Sequence, residues 1–586
     1  MSKVSDIHGA SDPRYSRRTL ATGAAAGLGL QVASLPGGNT LLAQEAGSAA
    51  VVSSHWSATN AGVEILEAGG TAADAAVAMA AVLSVVEPYF SSALGGGTWA
   101  LYYDANSGEV TSLDGVGPVG NLATLEDYLE HADEPGMHQA NVPGAWDGWM
   151  LWLDRYGQLE LGDVLNSAIV LARDGFAVSG QMASFLQRNE EEIGDFPDTA
   201  ATYLIDGALP TSGDTIQLPD LAATLQSLRD AYEGAEGERS AKVQAARDYF
   251  YRGPIAEALV AFSEEHGGHY TTDDFANFEA EIVAPVSVNY RGLDVYQSPP
   301  NSQGIAMLLA LNILKFFDLS NVEAMSADTI HVQVEAIKLA FADRHALIGD
   351  PSFVDIPIEE LLSDDHGRAQ LDRIDLGNAM EWPISSQFEG RQASHTTTFH
   401  IVDKLGNAAA VTTSLGFQFL VVGDTGIHIN ERNRFFSLEE DNPNVFAAGK
   451  KVRHTSCPYM VLRDGRPTIL GGNTGIDTQP QGQVQQFMNI TDFTFTAQEA
   501  VDQPRFVSTA FPASTNPNEA LNTLQMEDGF PDETIAELEA RGHQVDVGEG
   551  IFGNAAVIII DQDSGAFDVG AESRADDALG VIVNGE

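Results

Sequence analysis

The sequence predicts an α/β fold, one sandwich of strands and helices assembled from both halves of the chain. Two observations lead to it. Strand-like and helix-like segments occur on both sides of the midpoint, and no internal repeat divides the 586 residues. A composition of 44% hydrophobic and 19% charged residues, free of long low-complexity tracts, adds that the chain is globular and buries a large core.

In chain order, Val51-Val52-Ser53-Ser54-His55 reads as a short strand. Helical spacing follows over Thr59 to Ala68 and Ala72 to Val86, broken at Gly69-Gly70. The second of these helices is almost entirely small and apolar, which predicts burial on all sides. Leu94-Gly95-Gly96-Gly97 leads into a strand over Thr98 to Tyr103. No Gly-Lys-Ser/Thr follows the three glycines, so they predict close backbone packing rather than a phosphate loop. The middle, about 120 to 390, reads as largely helical, with clear periodicity over Ile330 to His345. From Thr396 the period changes to two. Strands are expected at Thr396 to Asp403 and Ala408 to Ser414, around a Lys-Leu-Gly-Asn turn, and at Tyr459 to Arg463 and Thr468 to Leu470, around Asp464-Gly465. Helices at Gln479 to Asn489 and Ala497 to Gln503 and a last strand at Ala555 to Ile560 complete the expectation.

The charge is the unusual bulk property. Asp and Glu number 83 against 30 Lys and Arg, a formal charge of -53. Such a field repels nucleic acid and anionic lipid, so neither is expected as a partner. The acids are spread along the chain, and lysine is confined to Lys3, Lys242, Lys315, Lys338, Lys404, Lys450 and Lys451. This pattern predicts a halophilic surface, in which salt screens many hydrated carboxylates. The thermal midpoint is therefore expected to rise from dilute buffer to molar salt; a midpoint highest in dilute buffer would refute the reading.

Cys457 is the single cysteine, so no intramolecular disulfide forms, and its expected role is a small buried side chain. Ser16-Arg17-Arg18-Thr19-Leu20 precedes an apolar Ala/Gly-rich run to Ala33, with small residues near Ala43. This is the plan of a twin-arginine signal peptide over residues 1–43, and it predicts export to the extracellular or cell-surface side. The run is too short and Gly-rich for a stable membrane span.

The chemistry lies in Ser394-His395-Thr396-Thr397-Thr398-Phe399-His400-Ile401-Val402-Asp403, followed by Gly406-Asn407 and Ala410-Val411-Thr412-Thr413-Ser414. A hydroxyl is a weak nucleophile until a base takes its proton. Breaking the bond before a threonine frees an α-amine beside that threonine's own hydroxyl. With an unperturbed pKa of about 7.7–8.0, the amine is matched to general-base work near neutral pH. Spacing alone does not single out Thr396, since Thr-rich strands are common.

The segment resembles the γ-glutamyltransferase (γ-glutamyl transpeptidase, glutathione hydrolase) family of N-terminal-nucleophile hydrolases, whose cleavage motif Thr-Thr-His-Tyr/Phe-Ser-Val-Val-Asp runs in order with Thr396 to Asp403. Glu67 to Ala76, Leu94 to Gly97, Val142-Pro143-Gly144, Tyr290-Arg291-Gly292, Ala342-Asp343-Arg344, Gly349-Asp350-Pro351, Gly426-Ile427, Asn430, Gly449-Lys450-Lys451 and Pro504-Arg505-Phe506 continue the likeness over nearly all of the mature chain. The resemblance implies a four-layer αββα sandwich. It also implies self-cleavage between His395 and Thr396, giving a large segment (44–395) and a small one (396–586) that stay associated. No cofactor or metal is implied. Thr396 would be the nucleophile, Ser414 its assisting hydroxyl, and Gly475 with Ile476 the oxyanion-binding turn, Ile476 replacing the family's second glycine.

Departures from the family bear on the substrate, a small-molecule amide or peptide. Val116 falls where the family has its carboxylate-binding Arg, Phe435 where it has an Asp for the substrate ammonium, Arg432 where it has Gln, and His454-Thr455 where it has Ser-Ser. The connection from Ser437 to Arg453 is short, which predicts a reduced lid. Asn430, Arg432, Phe435, His454, Thr455 and Ile476 are accordingly the expected substrate contacts. Arg432, Arg434, Lys450, Lys451 and Arg453 cluster in a chain short of cations. They predict an acyl group with a carboxylate but no α-amine, as in the acylase and amidohydrolase branch acting on glutaryl-type or oxamate-like amides; balancing local acids is the other reading. Against the enzyme stands an inactive extracellular binding scaffold, which has no need of Thr396 or of the glycine turn. His395 and His400 carry no metal-ligand spacing.

Overall fold

The computed structural model describes residues 48–380 and 396–584, apart from 133, 320, 417–419, 517, 519 and 549. The expected signal segment and His395 lie outside the described residues.

Two antiparallel sheets form the centre. The first has seven strands in the order Leu579–Val583, Ala49–Ser53, Thr397–Val402, Ala408–Ser414, Gly97–Asp104, Glu109–Gly115 and Glu281–Val283. The second has six, Phe567–Ala571, Ala555–Ile560, Arg466–Asn473, Tyr459–Arg463, Leu293–Gln297 and Val286–Tyr290. Val52, Leu101, Val402, Ala410, Met460, Leu470 and Ile558 fill the space between the sheets. Helices Trp56–Glu67, Ala72–Val86, Ala145–Tyr156 and Leu161–Asp174 cover the outer face of the first sheet. Ile305–Leu314, Ala327–Leu347 and Thr478–Thr491 cover the second. The result is the four-layer αββα sandwich, with strands from both halves of the chain in each sheet. No helix among the described residues is long and apolar enough to cross a membrane.

Ala72–Val86 is the clearest local case. Thr71 and Asp74 form a capping box, the Thr71 hydroxyl taking the Asp74 N–H at 3.3 Å and Asp74 taking the Thr71 N–H at 2.9 Å. All its residues are buried, as an apolar surface on every side requires. The Ala72 N–H also donates to Asp403 Oδ2 at 2.9 Å, so the acid that ends the Thr396 segment sits at the positive end of this helix.

One expectation needs correction and one is filled in. The middle is largely helical, as expected, and Glu281–Val283, Val286–Tyr290 and Leu293–Gln297 are strands within it, short enough for the helical tracts around them to mask their period. Ala555–Ile560 is not the last strand, since Phe567–Ala571 and Leu579–Val583 follow. Both are short and contain glycine, and cross-strand pairing holds them in place, a contact local sequence does not record.

Burial keeps several histidines neutral. It pushes His400, His428 and His543 down to about 3 and His55 and His345 to about 4. A depressed histidine stabilises the fold fully above its unfolded value of about 6.5, and that stability is lost as pH falls toward the folded value. Glu87, pushed up to about 7, opposes this by about one proton. In molar salt, urea midpoints are therefore expected to drop steeply between pH 7 and 5, with net proton uptake on unfolding; a flat profile would refute this.

Candidate functional site

Side chains alternate along Thr397–Val402. Phe399 and Ile401 face the helices, while Val402 faces the second sheet. Thr396 lies just before the strand and is buried, with 3% of its surface exposed. Its Oγ1 stands 3.2 Å from Ser414 Oγ, at the end of the neighbouring strand, and accepts from Gln479 Nε2 at 3.4 Å. The structure thus brings Ser414, expected to assist, within hydrogen-bonding distance of Thr396. Gln479 is a contact that sequence reasoning missed. It sits in the first turn of Thr478–Thr491, one of several buried glutamines there, and only its position distinguishes it.

The Gly475-Ile476 turn immediately precedes that helix. Both residues have positive φ, 106° and 42°, and the second is unusual for a β-branched side chain. The strained conformation is held from outside: Gln303 Nε2 donates to Ile476 O at 2.7 Å, and the Ile476 side chain packs with Phe435 and Val119. Among the described residues neither N–H of the turn has an acceptor.

The expected substrate residues converge on the same place. Gly97 pairs with Ser414, and a side chain at Gly97 would meet His454 Nε2 and Val116 Cγ2, so Val116 and His454 border the nucleophile strands. His454 is buried and neutral, its charged form opposed first by desolvation and then by Arg432; its Nδ1 accepts from Ser456 N at 3.2 Å and its Nε2 has no partner among the described residues. Arg432 is fully buried, with its guanidinium 4.5 Å over the Phe435 ring. Its Nη1 donates to Thr455 Oγ1 at 3.3 Å, whereas Nε and Nη2 have no partner among the described residues. Burial lowers its pKa to about 9, a measure of how poorly this cation is compensated.

Not every expected contact is free to meet substrate. Asn430 spends its amide on the backbone, donating to Gly95 O at 2.8 Å and Asn141 O at 3.0 Å and accepting from Asn141 N at 3.1 Å. The cation cluster also narrows. Lys451 pairs with Asp114 at 2.7 Å and Arg434 approaches Glu431 at 3.6 Å, so these two balance acids. Lys450 donates to Pro443 O and Val445 O, and Arg453 to Arg344 O. Among the described residues Arg453 keeps one donor without a partner, its Nε, and Arg432 keeps two, beside His454 and Thr455.

One set of potential metal ligands occurs among the described residues, His331, Glu335 and His543. His331 Nδ1 and His543 Nε2 are 2.8 Å apart, and the Lys338 ammonium pairs with Glu335 Oε1 at 2.8 Å. The cluster fastens Met380, whose N–H donates to Glu335 at 2.9 Å and whose carbonyl accepts from Lys338 at 2.9 Å.

Known proteins extend this geometry. The gamma-glutamyltranspeptidase family profile matches residues 58–582. The glutathione hydrolase-like YwrD proenzyme of Bacillus subtilis is 36% identical over 90% of this chain and 97% of its own length. The glutathione hydrolase proenzyme of Escherichia coli is 32% identical over 87% of this chain and 88% of its own. Among solved structures, the cephalosporin acylase of Bacillus halodurans superposes with a TM-score of 0.82 at 30% identity, covering 94% of this chain and 99% of that one. A profile spanning nearly the whole chain, together with full-length relatives above 30% identity, establishes that the chain belongs to the gamma-glutamyltranspeptidase family.

Proposed function

We propose that this enzyme cleaves itself before Thr396 and then uses Thr396 to hydrolyse amides whose acyl group carries a carboxylate and no α-ammonium. Family membership carries the coarser activity, self-processing followed by hydrolysis or transfer of an acyl group from an amide bond. The observation that carries the finer one is Arg432, buried, only partly compensated by Glu431 and still holding two donors without a partner among the described residues. Leaving a buried charge unpaired is costly, so the site is built for an anion to arrive. An ammonium would instead meet Arg432 and the Phe435 ring, with Val116 offering no charge to the substrate carboxylate.

Chemically, Thr396 Oγ attacks the scissile carbonyl while the freed α-amine takes its proton. The Gly475 and Ile476 N–H groups receive the developing oxyanion. The amine returns the proton to the leaving nitrogen, and water then releases the acyl group from the Thr396 ester. Residues 1–43 serve in this reading as a twin-arginine export signal, supported by Arg17-Arg18 and the apolar run after them, and the acidic surface adapts the exported protein to high salt. The test is N-terminal sequencing of protein made in high salt, followed by glutaryl and γ-glutamyl amides of the same amine. A fragment beginning at Thr396 that prefers the glutaryl amide supports the reading; an uncut chain, or preference for γ-glutamyl, overturns it.

A further inference from the structure

Helix Ala72–Val86 runs beside the nucleophile strand with Asp403 at one end and Glu87 at the other. Glu87 is fully buried. Its Oε2 accepts from Thr397 Oγ1 at 2.7 Å and from Ser54 Oγ at 2.8 Å, and those two hydroxyls are 2.9 Å apart. Its Oε1 has no partner among the described residues. Burial is the largest influence on the carboxyl and opposes a negative charge, while the Thr397 and Ser54 hydroxyls favour one. Glu87 follows the C-terminal, electronegative end of its helix, Asp577 adds like charge, the Tyr89 phenol is buried nearby, and His55, the residue after Ser54, is held neutral. A glutamine would accept the same two hydroxyls without the cost of a buried acid, so the choice of a carboxyl calls for a charge that arrives later.

Processing supplies one. Cutting before Thr396 turns a neutral amide nitrogen into an amine, one residue from the hydroxyl that Glu87 holds. It also turns Thr396 into a chain end. Strand pairing begins at Thr397 opposite Thr413, so no ladder bond holds Thr396 itself. What remains to fix it is Thr397, anchored by Glu87 and Ser54, and the side-chain contacts of Thr396 with Ser414 and Gln479.

We propose that Glu87 is a positioning residue for the nucleophile, acting through the Thr397 hydroxyl and countering the charge of the α-amine that cleavage creates. The proposal rests on the reading of Thr396 as the freed nucleophile. The carboxyl and the amine then titrate as a pair, each carboxylate raising the basicity of the amine and each ammonium favouring the carboxylate.

The test measures kcat and KM from pH 5 to 9 in molar salt for processed wild type, Glu87→Gln, Glu87→Asp and Thr397→Val. Glu87→Gln is expected to lower kcat about tenfold at constant KM and to move the acid limb of kcat down by about half a pH unit or more, because the amine loses its carboxylate. Glu87→Asp restores the limb. Thr397→Val, close to isosteric, lowers kcat with little movement of the limb, and adding Glu87→Gln to it costs less than the two separate losses combined. An unmoved limb in Glu87→Gln overturns the proposal. If Glu87→Gln does not fold or process, an unchanged kcat in Thr397→Val overturns it instead. An active Thr396→Ala enzyme would sink the underlying reading, whereas an inert one beside a wild-type profile in Glu87→Gln would sink this inference alone.

Discussion

A Thr396→Ala chain is expected to fold, to remain in one piece through the Thr396 position, and to lose turnover by about 10⁴-fold or more. Two losses combine in the one substitution. Cleavage needs the hydroxyl to attack its own preceding carbonyl, and without cleavage no α-amine is released to act as base. Stability should change little, because Thr396 lies outside the strand and, among the described residues, its hydroxyl has two hydrogen-bond contacts, with Ser414 at 3.2 Å and Gln479 at 3.4 Å. Thr396→Ser separates chemistry from packing. It keeps the hydroxyl and removes the methyl that restricts its rotamer, so slower but complete cleavage is expected. Intact mass and N-terminal sequencing read the cleavage, and amide turnover reads the rest. A cut and active Thr396→Ala protein would remove Thr396 from the mechanism.

How much of this was legible beforehand differs by element. Ala72–Val86, Ala408–Ser414 and Ala555–Ile560 fall where the sequence pattern placed them, because the first two are buried along their length, the third over its first four residues, and each pattern is uninterrupted. The short strands at 281–297 and after 566 were not legible, since tertiary pairing rather than local preference defines them. Within the site, Thr396 beside Ser414 followed from the family motif, whereas Gln479 and Glu87 did not. Each reaches the nucleophile strand from a distant element, 83 residues away for Gln479 and 310 for Glu87, and no spacing rule connects such positions. The cation cluster shows the opposite failure. Neighbours in sequence looked like one anion site, yet Lys451 and Arg434 turn to Asp114 and Glu431, and Arg432 is left beside Thr455.

That division makes Arg432 the sharpest test of substrate class. Arg432→Met is close in length and removes the guanidinium while keeping an apolar stem over Phe435. For a carboxylated acyl group, kcat/KM is expected to fall about 10²–10³-fold, the usual cost of removing one partner of a buried charge pair, about 2–5 kcal/mol. For an uncharged acyl group of equal length the loss should vanish, because that group never repaid the desolvation of the guanidinium. Stability should move the other way. The free protein carries a buried cation whose pKa burial has already lowered to about 9 and which Glu431 only partly offsets, so removing the charge lifts a desolvation cost and raises the denaturation midpoint. Weaker catalysis on the charged substrate, unchanged catalysis on the neutral one and a higher denaturation midpoint form a combination that damage to the fold does not produce. Equal losses on both substrates would assign Arg432 to structure and return the choice of acyl group to the rest of the site.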